Sequence, residues 1–102
     1  MTLHQIIFHT EYGDLVVIQG TNQADIFKDA YARYLSLEVY DDDFVIECFN
    51  YKTLNLNDFF TELLANHSII VPVDAHDNLY EYYKVYIHYN TWEVLTCTKL
   101  YS

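Results

Sequence analysis

Two segments rich in Ile, Val and Phe, Leu3 to His9 and Leu15 to Gln19, flank Glu11-Tyr12-Gly13-Asp14. The glycine-containing turn between them predicts a β-hairpin. Gly20-Thr21-Asn22 then interrupts the strand pattern, with Thr21 or Asn22 placed to cap a helix and Asp25 in its first turn, where the helix dipole favours negative charge. Ile26, Phe27, Ala30, Tyr31, Tyr34 and Leu35 follow at three- and four-residue spacing, so a helix over roughly 23–37 has one apolar face. Asp41-Asp42-Asp43 cannot be buried without partners and predicts a solvated loop. The apolar run from Phe44 to Tyr51 reads as a strand. Asn55 or Asn57 caps a second, short helix that carries Phe59, Phe60, Leu63 and Leu64 and ends near Asn66.

Ser68-Ile69-Ile70-Val71 is a short apolar run that Pro72 restricts to an edge strand or an extended connection, and Val73 to Asn78 reads as polar loop. Tyr80 to Tyr89 and Trp92 to Tyr101 are long β-branched and aromatic runs around Asn90-Thr91, a pattern that predicts a closing hairpin. The expected fold is α+β: an antiparallel sheet of hairpin-linked strands with two helices packed on one face, in the order ββαβα(β)ββ. A length of 102 residues makes this a single globular domain over 1–102, large enough for folding to remove roughly two-thirds of the extended chain's surface from water.

Composition narrows the function classes. Hydrophobic residues are 52% of the chain, which argues against disorder, while no apolar run approaches the roughly 20 residues of a membrane span. Met1-Thr2-Leu3-His4-Gln5 lacks the basic region of a signal peptide, so a cytoplasmic address is expected. Cys48 and Cys97 lie in apolar stretches and are expected to be reduced and buried; they form no disulfide framework and no zinc signature.

Charge is the most informative number. Fifteen Asp and Glu against five Lys and Arg give a formal net charge of −10, a surface that repels nucleic acid and anionic membrane. The five histidines sit in no recognised catalytic motif, so no enzyme is expected, and Cys48 reads as a small buried hydrophobe. His67, Asp74, His76 and Asp77 are nitrogen and oxygen donors near one loop, but their spacing matches no family of metal sites. Neither a metal nor a cofactor is expected.

Carboxylate placement says more. Residues two apart on a strand lie about 6.6 Å apart on one face, and residues four apart on a helix lie one turn along one face. Both steps suit sites that a protein uses for phosphates, which recur every 3.4 Å or so along a DNA strand. Asp25 and Asp29 meet the helical condition, Glu38 with Asp41, Asp42 and Asp43 forms a dense cluster after that helix, and Glu62 lies four beyond Asp58. Asp74, Asp77 and Glu81 gather before the last strands, giving two expected acidic patches, at 25–43 and 74–81.

Ordinary solubility also accounts for an acidic coat. Two features argue for more. A chain rich in Asn, Ile and Tyr commonly carries many lysines, yet only Lys28, Lys52, Lys84 and Lys99 occur. The 11 tyrosines exceed what a small core readily satisfies, and alternation puts Tyr80, Tyr82, Lys84, Tyr86 and His88 on one strand face. Tyr82 and Tyr86 are therefore candidate contacts, since tyrosine brings rigid area and a hydrogen-bonding tip to interfaces, whereas a structural aromatic ladder is the alternative role.

A short, strongly acidic, aromatic-rich α+β chain without catalytic motifs resembles the small inhibitors encoded by phages and mobile elements. These include DNA-mimicking anti-CRISPR and anti-restriction proteins and uracil-DNA glycosylase inhibitors. The resemblance covers the whole chain in size and composition and carries no diagnostic motif. It implies a monomer or homodimer in the bacterial cytoplasm that blocks a basic nucleic-acid-binding defence nuclease, foremost a Cas effector, without binding nucleic acid or membrane. The alternatives are an immunity protein that neutralises a basic toxin nuclease and a small structural protein that self-associates through an edge strand such as Trp92 to Tyr101.

Overall fold

The first hairpin forms where the apolar pattern places it, as β1 (Thr2–Thr10) and β2 (Gly13–Gly20) in antiparallel register. Its turn requires glycine, because Gly13 has φ 140°, and the Thr10 hydroxyl accepts from the Tyr12 N–H at 3.1 Å. These features belong to a computed structural model, which describes residues 1–76 and 81–94, with the side chain of Phe49 also outside the description.

Helix α1 (Gln23–Leu35) starts where the Asn22 side chain accepts from the Asp25 N–H at 3.1 Å, and its Ile26, Phe27, Ala30 and Tyr34 are buried. Helix α3 (Leu56–Asn66) repeats the device with Asn55, which accepts from the Asp58 N–H at 2.8 Å, and it buries Phe59 and Leu63.

Between them the expected strand at 44–51 is a helix instead, α2 (Asp43–Phe49). The aspartate run is not a plain loop: Asp42 caps α2 by accepting from the Phe44 and Val45 N–H groups at 2.9 and 3.2 Å. At the other end Asn50 adopts the left-handed conformation, φ 51°, and its N–H returns to the Ile46 and Glu47 carbonyls. Capping at both ends outweighs the β propensity of Val45 and Ile46. Cys48, expected to be buried, lies on the exposed side of this helix.

The sheet is completed by β3 (Ser68–Asp74) and β4 (Tyr82–Glu93), in the order β2-β1-β4-β3 with every pair antiparallel. β3 runs past the apolar stretch into the segment read as loop. No turn occurs at Asn90-Thr91: β4 continues through both residues, opposite Gln5 and His4 of β1. Lacking glycine, that dipeptide does not favour a tight hairpin turn, and ladder hydrogen bonds to β1 take its place. Trp92 thus pairs with Leu3 in the sheet, while the rest of the second strand read there, residues 95–101, lies outside the described residues, as does Cys97.

Pro72 sits within β3 because the missing N–H falls on the side away from β4. On that side the Tyr40 N–H donates to the Pro72 carbonyl at 2.9 Å and the Asp74 N–H donates to the Glu38 carbonyl at 2.8 Å. Helix α1 lies against β1 and β2, α3 against β3 and β4, and α2 against β3. The core between α1, α3 and the sheet includes Ile6, Phe8, Phe27, Phe59, Leu63 and Ile87, all essentially inaccessible, each contributing about 1.5–3 kcal/mol of burial.

Candidate functional site

Three short connections build one acidic edge. Beyond α1 the chain runs antiparallel to the end of β3, with Val39 bridged to Val73, and this brings Glu38 beside Asp74. The Ala75 N–H donates to the Glu81 carbonyl at 3.3 Å, which sets the start of β4 next to the end of β3. Tyr40 then stacks on Tyr82 with ring centroids 5.5 Å apart, and its hydroxyl donates to Glu81 Oε2 at 3.1 Å. Glu38, Asp74 and Glu81 are therefore gathered at one end of the sheet, with Asp41, Asp42 and Asp43 directly following Tyr40.

Within this group the roles differ. Glu38, Asp41, Asp43 and Glu81 are exposed, whereas Asp42 is half-buried with its carboxylate committed to the N-terminus of α2. His76 contacts Glu38 through Nε2 and lies 3.8 Å from Asp74 through Nδ1. The hydrogen bond to Glu38, then the charges of Glu38 and Asp74, hold the His76 imidazole above its ordinary range. Tyr40 is likewise raised, by burial, by its bond to Glu81 and by the charges of Glu81, Asp42 and Asp74. Its phenol therefore senses three carboxylates from three segments.

The two patches expected from sequence are rearranged. The structure joins 38–43 to Asp74 and Glu81, and it separates both from Asp25, which sits in the first turn of α1 with roughly 15 Å of helix between. Asp29 pairs with Arg33 one turn along at 3.6 Å. Asp77 lies outside the described residues. Tyr82 belongs to the acidic edge, while Tyr86 lies on the open sheet face about 13 Å along β4, stacked on His9 at 5.2 Å. There Tyr86, His9 and His88 form an aromatic ladder across β1 and β4.

Many tyrosines prove structural. Tyr34 and Tyr89 are buried; the Tyr89 hydroxyl meets His4 Nδ1 at 2.8 Å and Gln23 Nε2 at 2.9 Å. Tyr34 and Tyr51 share a 2.8 Å hydrogen bond, and burial followed by that bond pushes the Tyr51 phenol well up. Tyr40 is the residue that sequence reasoning missed. Its signal was its place directly before the aspartate run, but the stack on Tyr82 is visible only once β3 and β4 are paired.

Of the donors read near one loop, Asp74 and His76 lie together and His67 does not join them. His67 lies at the opposite end of β3 from Asp74, roughly 20 Å away, stacked on Tyr89. Among the described residues no group of three or more His, Cys, Asp or Glu is arranged to hold a metal ion, and no helix is long and apolar enough to cross a membrane. The chain has no match among family models, curated proteins or solved structures.

Proposed function

We propose that the chain is a protein inhibitor that lays its acidic edge in the basic groove of a nucleic-acid-binding defence nuclease of the bacterial cytoplasm, with a Cas effector as the leading target. The observation that carries this reading is the convergence of Glu38, Asp74 and Glu81 from three separate segments onto one end of the sheet, with Asp41 and Asp43 following directly after Tyr40 in the chain. A coat that serves solubility alone needs no such convergence. Carboxylates there take the place of phosphates against Arg and Lys of the groove, and the Tyr40–Tyr82 stack supplies a rigid aromatic platform between them.

Binding is then competitive with nucleic acid, fast at low ionic strength and weaker as salt shortens the screening length to about 8 Å near physiological conditions. The test is capture: tagged protein is incubated with bacterial lysate and the retained proteins are identified at low and moderate salt. A basic nuclease retained at low salt and released by added duplex DNA is expected. Retention of the same proteins at every salt concentration, with no nuclease among them, overturns the reading.

A further inference from the structure

The outer edge of β3 is half covered. The segment after α1 pairs with it at Pro72–Asp74: the Pro72 carbonyl accepts from the Tyr40 N–H, and the Asp74 N–H donates to the Glu38 carbonyl. Every second residue of an antiparallel strand turns its backbone groups to the same side, so the N–H and C=O of Ile70 and Ser68 also point outward, away from β4. Among the described residues no backbone group pairs with them there. The covering segment stops short because Asp42 departs from the strand line to cap α2.

Beside the uncovered half lies an open cleft of about 390 Å³, a volume in the range of small-ligand sites. It is lined by Ser68 and Ile70 of the strand, by Tyr51, Lys52 and Leu54 of the connection between α2 and α3, and by Glu62 of α3. From these features we infer that the cleft binds an extended, uncharged peptide segment of a partner protein, which adds to β3 as a short antiparallel strand beside Ser68 and Ile70. The ligand is a peptide because the groups on offer are a backbone donor and acceptor, placed to exchange both hydrogen bonds with one residue of an added strand. The same edge already takes the backbone of Glu38–Tyr40 in this way, and the added segment continues that line.

Charge and register define the segment further. Lys52 and Glu62 balance on the walls of the cleft, and the net charge of −10 opposes both an acidic segment and a second copy of the chain. Residues facing each other across a strand pair share a face, so the residue opposite Ile70 lies on the open side of the sheet, where Ile70 is exposed. Its two neighbours lie on the helix side, where half-buried Tyr51 and Leu54 favour apolar side chains. Pro72 ends the site, since it has no N–H and its carbonyl is taken by Tyr40. The inference stands apart from the proposed function, because it concerns a different part of the surface and is tested without a nuclease.

The test is NMR titration of the isotope-labelled chain with acetyl-Ser-Val-Thr-Val-Ser-amide and with the same peptide N-methylated at its threonine. Millimolar binding is expected, because two exposed backbone hydrogen bonds and two small side chains are a small interface. Shift changes should concentrate at residues 50–54 and 68–70, and exchange of the Ile70 N–H with solvent should slow several-fold. N-methylation is expected to weaken binding at least tenfold. Ile70→Pro, which deletes the outward N–H as Pro72 does two residues on, is expected to abolish it with an unchanged far-UV circular dichroism spectrum. If that variant does not fold, the N-methylated peptide decides alone. No shifts at 68–70 up to about 10 mM peptide, or equal binding of the two peptides, overturns the inference.

Discussion

The Tyr40 ring lies 5.5 Å from that of Tyr82, and this stack holds the segment after α1 against the first residue of β4. It is a tertiary contact between residues 42 positions apart, and it decides where the aspartate run is presented. With Glu81 replaced by Gln, the Tyr40 phenol loses one of the influences that raise it and ionises at lower pH, as read by ultraviolet titration of tyrosinate. Tyr40→Ala is expected to lower the melting temperature and weaken partner capture together. Full capture by Tyr40→Ala would show that the stack does not order the acidic edge.

Asp42 is a cap more than a contact. Asp42→Ala is expected to cost about 1 kcal/mol in urea denaturation, and Asp42→Asn much less, because the asparagine oxygen still accepts from Phe44 and Val45. Binding tests therefore neutralise Asp41, Asp43 and Glu81 as amides, which leaves the side chain at 81 able to accept from the Tyr40 hydroxyl.

The helical form of 43–49 makes a further distinction. Phe44 is 73% exposed, so Phe44→Ala is expected to change stability by no more than about 0.5 kcal/mol. Phe59, fully buried beside Tyr31 and Tyr34, is expected to cost about 3–5 kcal/mol on replacement by Ala. Similar losses at both sites in denaturant titrations would contradict the packing described.

Two histidines pull stability in opposite directions with pH. Burial, then the charge of His9, holds His88 below its ordinary 6.5, so the folded state disfavours its protonation. Its stabilising contribution is present above the unfolded value and is lost as pH falls below 6.5 toward the folded value. Glu38 raises His76 above the same reference, so its contribution is present below 6.5 and is lost as pH rises through the folded value. Residue-resolved NMR titration is expected to show His88 titrating below His76. The reverse order would refute both placements.

Local chemistry was legible in the sequence, and long-range register was not. The first hairpin, the two helices with Asn22 and Asn55 among their candidate caps, and the shared strand face of Tyr82, Lys84, Tyr86 and His88 followed from spacing and turn residues. Helix α2 escaped because six apolar-rich residues fit either period, and the Asp42 cap reads equally as loop. β4 was split at Asn90-Thr91 because its extension is stabilised by β1, a partner some 85 residues earlier in the chain. For the same reason 38–43 and 74–81 looked like two patches: the bridge between Val39 and Val73 that joins them has no local signature.

The most direct measurement is the affinity of the captured nuclease for two neutralised variants of equal charge. One carries Asp41→Asn, Asp43→Asn and Glu81→Gln; the other carries Asp25→Asn, Asp58→Asn and Glu62→Gln, on the helices α1 and α3. A tenfold or greater loss confined to the first variant is the expected result. Equal losses in both would mean that net charge alone governs binding and that the convergence of carboxylates has no part in it.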